Sequence, residues 1–218
     1  MEARQELDHE PGSGVRAQKK RRDKLIVLAA RHSDWVVGFQ DEVWWSRLAQ
    51  PHLRTWSETA LHLVAKARPK GDTAPKALAC YGLLRSDTDE MLLRFVDGRP
   101  VSAVTTEFLR WVCVRLAKAR KRVFVLVWDN AAWHVSAAVR SWIRKHNGEV
   151  KRAGKGVRIL ECRLPIKSPW LNPIEPKWVH GKRAIVEPTR TLTPDEVESH
   201  VCSYYRCSRT KHLQQHVP

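Results

Sequence analysis

The sequence has no apolar run approaching the ~18 residues that a membrane-spanning helix needs. Its N-terminus, MEARQELDHE, lacks the apolar core of a secretory signal. Disulfide chemistry is poorly provided for as well. Cys80, Cys113, Cys162, Cys202 and Cys207 are an odd set without a CxxC pair, which points to reduced thiols in a cytosolic chain. The tail His200-x-Cys202-x4-Cys207-x4-His212-x3-His216 matches no standard zinc-finger spacing and reads more simply as residues on or after a helix. Ten tryptophans are scattered without a period, so no repeat architecture is announced. Acids are also short: 23 Asp and Glu stand against 39 Lys and Arg, a formal net charge of +16. Such an imbalance favours a polyanion partner, and nucleic acid is the commonest one.

What is present is enough for one sizeable domain: 218 residues, 43% of them hydrophobic. Residues 1–23 are polar, carry Pro-Gly-Ser-Gly at 11–14 and end near Lys19-Lys20-Arg21-Arg22, so they read as a flexible basic linker or tail. The folded domain is expected over 24–218. Within it, Asp34–Asp41 alternates as a strand with Trp35, Val37, Phe39 and Asp41 on one face. Ala77–Leu84 and Met91–Val96 read as an antiparallel hairpin around the polar turn 85–90, while 51–75 carries no clear pattern. Val104, Phe108, Trp111, Val112 and Leu116 form the apolar stripe of a helix over Ser102–Arg120. The continuous apolar run Arg122–Asp129 reads as a buried, parallel central strand. A helix over Ser136–His146 capped by Ser136 follows, then a strand over Val157–Leu164, a helix around Trp178–Ile185, and another after Thr193-Pro-Asp-Glu196. The order predicts an α/β fold with a mixed sheet, antiparallel in its first half and parallel in its second.

Two acids, Asp41 and Asp129, end strands of this scheme. If the first and fourth strands are parallel neighbours, these carboxylates face one another across a sheet edge, where ligand sites gather. A hard divalent cation, Mg²⁺ or Mn²⁺, would relieve their repulsion. Each has an ordinary alternative as a turn residue, and Glu42 should point away from Asp41. The third acid lies in SPWLNPIEPKW, residues 168–178. Asn172, Pro173 and Glu175 match a capping box. Pro176 opposes it, because proline disfavours helical geometry in the preceding residue and lacks an N–H. Glu175 is thus either a cap or a ligand.

Three segments taken together are more specific: FQDEVWW at 39–45, VWDNAAWH at 127–134, and LPIKSPWLNPIE at 164–175. In this order they resemble the catalytic domain of transposases of the IS630/Tc1-mariner group, over nearly the whole chain. The resemblance implies a ribonuclease-H-like fold, a DDE triad of Asp41, Asp129 and Glu175, and two Mg²⁺ or Mn²⁺ ions serving DNA cleavage and strand transfer. It places Asn130 and His134 beside the second acid, as orienting or phosphate-contacting groups, with a helix-cap role open for His134. The separation of Asp129 and Glu175 is wider than is typical of the group, and the basic segment Gly148–Gly156 is the expected loop insertion. Lys167, Lys177, Lys182 and Arg183 are candidate phosphate contacts, and Trp44, Trp45 and Trp170 are candidates for stacking on unpaired bases.

Family members usually carry helix-turn-helix modules ahead of this domain. Residues 1–34 hold no room for one, so sequence-specific end binding is expected to be absent from this chain, which reads either as one product of a split or frameshifted gene, with a helix-turn-helix partner polypeptide, or as a truncated remnant. The resemblance also implies a homodimer on paired DNA ends in a prokaryotic, nucleoid-associated setting. A catalytically inert DNA-binding remnant is the alternative, and another ribonuclease-H-like nuclease such as a junction resolvase fits the third motif poorly.

Overall fold

A computed structural model describes residues 13–48, 69–166, 168–185 and 190–214. Its centre is a six-stranded mixed sheet in the order β5-β4-β1-β2-β3-β6. The strands are β1 (Trp35–Ser46), β2 (Ala77–Arg85), β3 (Met91–Asp97), β4 (Val123–Trp128), β5 (Arg158–Arg163) and the short β6 (Leu213–Gln214). β1, β2 and β3 pair antiparallel, while β1–β4, β4–β5 and β3–β6 pair parallel. The first-half, second-half division read from the sequence is therefore present, with β6 as an addition that two residues could not announce.

Helices cover both faces. Residues 36, 124, 126 and 128 of the central strands point to one side. There they pack on α2 (Ser102–Lys118) and α3 (Ala137–Ala153) through Val104, Phe108, Val112, Leu116, Val139 and Ile143. Val37, Phe39, Val43, Val125 and Val127 point to the other. That side meets α1 (Ser13–Ala30), α4 (Ile174–Ile185) and α5 (Pro194–Tyr204) through Ala29, Ile174, Trp178, Ile185, Val197 and Val201. Burying Ile174 and Ile185 contributes about 1.5–3 kcal/mol each to the docking of α4. Thr193 and Glu196 exchange both bonds of a capping box at the start of α5, and the Ser136 hydroxyl accepts from Val139 N–H at the start of α3.

Four sequence expectations change. β1 continues five residues beyond Asp41, because β2 pairs with it as far as Ser46. The presumed tail is helical from Ser13, since Leu25, Ile26 and Ala29 pack on the sheet and anchor α1. Gly148 lies inside α3, which ends only at Gly154 in left-handed geometry (φ 64°), so most of the expected loop insertion is helix. Finally, α4 begins at Ile174, which puts Pro176 in its first turn, where an N–H has no intrahelical partner to lose. No strained helix entry is required.

Candidate active site

The parallel pairing of β1 with β4 runs from Trp35↔Val123 to Phe39↔Val127. Extending that register by two residues, one past the end of β4, brings Asp129 toward Asp41, and both line one cavity. The third motif closes over them. Leu164 N–H donates to Trp128 O (2.8 Å), and Asn130 Nδ2 donates to Leu164 O (2.7 Å). Asn172 does not cap α4; its Nδ2 donates to the carbonyl of Gln40, the neighbour of Asp41 (3.1 Å). These bonds leave a cavity of about 270 Å³ lined by Asp41, Asp129, Asn130, Asn172, Glu175 and the loop between them. All three sequence-predicted acids face it.

The three carboxyls are held differently. Burial, then the nearby charges of Glu175 and Glu42, push Asp41 up to about 7. Trp178 Nε1 donates to its Oδ2 (2.9 Å). That hydrogen bond depends on Gly82, which pairs with Asp41 across β1 and β2: a Cβ there would lie 2.3 Å from the Trp178 ring. Glu175 is raised by burial and by Asp129, partly offset by Lys182. Asp129 is lowered: burial opposes its charge, but hydrogen bonds from His134 and Ala131 N–H outweigh that cost.

His134 is wholly buried and stacks on Trp128 (ring centroids 4.5 Å apart, 18° between planes). Its Nδ1 lies 2.7 Å from Asp129 Oδ1 and its Nε2 2.9 Å from Glu42 Oε1. Carboxylates only accept hydrogen bonds, so the ring serves both as a doubly protonated imidazolium. Burial resists this charge, yet the two carboxylates raise His134 to about 9. His134 is not the cap of α3. Glu42 does point away from Asp41 as expected, but into this bridge, and sequence reasoning missed it because its partner lies 92 residues away.

The other candidates divide. Trp170 is 75% exposed on the short 3₁₀ turn Pro169–Leu171, whose Pro169 lines the cavity, as does the equally exposed Ile166. Trp45, in contrast, is buried edge-on against Trp178, so it is a core residue. Trp44 is exposed on the opposite face of β1. Lys182 and Arg183 are exposed on α4, and Lys177 is ion-paired with Asp89 (2.5 Å). Lys167 and His216 lie outside the described residues. In the C-terminal tail, His212 bridges Asp97 and Glu198. This ties β6 to α5.

Among the described residues, no three His, Cys, Asp or Glu side chains are gathered tightly enough to hold a metal as they stand. The donor set nevertheless suits a hard divalent cation. Three carboxyl groups face one cavity, two of them raised in part by the charge of a neighbouring carboxylate. At its edge the buried Oδ1 of Asn172 has no partner among the described residues.

The family model for DDE superfamily endonucleases matches residues 36–197, which span all three acids. The chain belongs to this family. Its fold is that of solved transposase structures. The Mos1 mariner paired-end complex with Mn aligns at a TM-score of 0.61 with 15% identity, over 95% of this chain and 60% of that one. The Mos1 strand transfer complex gives 0.60 and 16%, over 95% and 58%. The Mos1 paired-end complex with the left transposon end gives 0.59 and 16%, over 95% and 59%. The chain thus spans about three fifths of the length of these three chains. No curated protein sequence matches it. Among the described residues, no helix is long and apolar enough to cross a membrane.

Proposed function

We propose that this family member cleaves and joins DNA phosphodiester bonds, with Asp41, Asp129 and Glu175 as the metal-binding carboxylates. One observation carries the reading: Asp41 from β1, Asp129 just after β4 and Glu175 from α4 all line one cavity. Mg²⁺ or Mn²⁺ held there, most simply as a pair, would activate the attacking hydroxyl and stabilise the leaving oxygen of an in-line displacement. The Mos1 paired-end complexes with Mn and with Mg support the choice of ions.

The protein's own groups hold and orient. Asn130 and Asn172 fasten the third motif to β4 and β1, which sets the cavity's width. His134 directs Asp129, and Trp178 directs Asp41. Ile166 at the cavity wall and Trp170 on the adjoining turn offer exposed apolar surface for bases unpaired at a cleaved end, and stacking on an aromatic ring contributes about 1–3 kcal/mol per base. Lys182 and Arg183 extend the positive surface from the Glu175 helix for phosphates. Lys177, engaged by Asp89, has less to offer.

The test is nicking of supercoiled DNA with Mg²⁺ or Mn²⁺. Activity is expected in the parent and should disappear in Asp129→Asn and Glu175→Gln. Parental activity in either variant sinks the assignment, and a folded, DNA-binding but inactive parent would favour an inert remnant.

A further inference from the structure

Glu42 is a nearly buried acid, its side chain 8% exposed, on the face of β1 turned away from the cavity. We propose that Glu42 is a positioning residue which, through His134, decides which oxygen of Asp129 faces the metal-binding cavity. This rests on the reading of Asp129 as a metal ligand.

The argument follows the hydrogen bonds outward. Asp129 Oδ1 lies 2.7 Å from His134 Nδ1 and also accepts from Ala131 N–H at 2.9 Å. A carboxylate oxygen has about two lone-pair sites, so Oδ1 is filled and Oδ2 is the oxygen left for a cation. His134 can hold this arrangement only if its ring is fixed. Stacking on Trp128 sets the plane of the ring, and Trp133 meets it edge-on at 5.9 Å. Neither ring fixes rotation within that plane. The bond between Nε2 and Glu42 Oε1 does so, from the far side of the imidazole. Glu42 is itself held, because Gln40 Nε2 donates to the same oxygen at 2.9 Å. An amide in place of Glu42 presents an N–H as readily as an oxygen, which removes the obligatory acceptor. The Asp129 side chain, 56% exposed, is then free to turn. Outer-shell partners of metal ligands typically change affinity 10–100-fold when mutated.

The experiment is Mn²⁺ titration followed by the electron paramagnetic resonance of the free ion, with folding checked by circular dichroism. The chains compared are the parent, Glu42→Gln, His134→Asn, Asp129→Asn and the core control Val112→Ala. Glu42→Gln is expected to weaken Mn²⁺ binding about tenfold or more, and Val112→Ala, destabilised but remote from the site, to bind as the parent does. If Glu42→Gln does not fold, His134→Asn takes its place, since its shorter amide can still reach toward Asp129 but not Glu42. Parental affinity in the folded variant overturns the inference, as does equal weakening in Val112→Ala, which would make the effect one of stability. Parental affinity in Asp129→Asn would instead overturn the assignment of Asp129 as a ligand.

Discussion

Asp41 is where sequence, packing and chemistry meet at the scale of one residue. Its hydrogen bond from Trp178 is available because position 82 has no side chain. Gly82→Ala forces the indole away, an overpacking cost of about 1–3 kcal/mol, and should lower both the denaturant midpoint and nicking. Trp178→Phe keeps most of the packing and removes the donor. Its expected signature is a larger loss of nicking than of stability; a loss of stability alone would make Trp178 a core residue only. The raised Asp41 carboxyl also carries a pH dependence. An unfolded aspartate ionises near 3.8, whereas the folded one holds its proton to about 7. Between these values the folded state binds one proton more, so this group makes stability fall as pH rises, levelling off above 7. Urea midpoints from pH 4 to 8 should fall less in Asp41→Asn than in the parent. Parallel curves would refute the shift.

At the scale of elements, the strands were legible because burial writes itself into their composition. Residues 123–128 are wholly apolar and form the interior strand β4, and Ser136 and Thr193 announced the starts of α3 and α5. α1 was not legible. Its apolar residues are few, and Lys19-Lys20-Arg21-Arg22 reads like any solvated basic run. Only the tertiary structure shows that the half-buried Arg22 donates to the carbonyl of Leu171 and the exposed Arg21 to that of Glu161. The bridge of Glu42 to His134 was equally hidden, because no local pattern records the meeting of elements so far apart. α1 feeds β1 through a tight turn at 31–34 and so runs against it. Its N-terminal half therefore lies toward the strand ends that carry the site, with Lys19, Lys20 and Lys24 exposed. Replacing these three by alanine should flatten the salt dependence of DNA binding, by about 0.9 in log–log slope for each phosphate no longer neutralised. An unchanged slope in a fluorescence-anisotropy titration would leave α1 as a structural cover for the sheet.

For the whole molecule, the site sits where the two halves of the sheet are joined. β1 is the shared strand, antiparallel to β2 on one side and parallel to β4 on the other. It carries Asp41 to one face and Glu42 to the other. Crowding Asp41 and Glu175 against neighbouring carboxylates is unfavourable for the fold, and the cation proposed for this site would offset that, since a ligand that binds only the folded state stabilises it by RT ln(1 + [L]/Kd). Mn²⁺ at about 100 times its Kd should therefore raise the unfolding free energy by about 2.7 kcal/mol. For a domain of this size that is a rise in Tm of several degrees. Asp41→Asn relieves the repulsion without the ion, so it should be the more stable chain in the absence of Mn²⁺ at pH 8 and gain less when Mn²⁺ is added. Scanning calorimetry of both chains with and without Mn²⁺ decides this. An equal metal-induced rise in the two would place the bound ion away from Asp41 and break the link between the charge repulsion of the site and its chemistry.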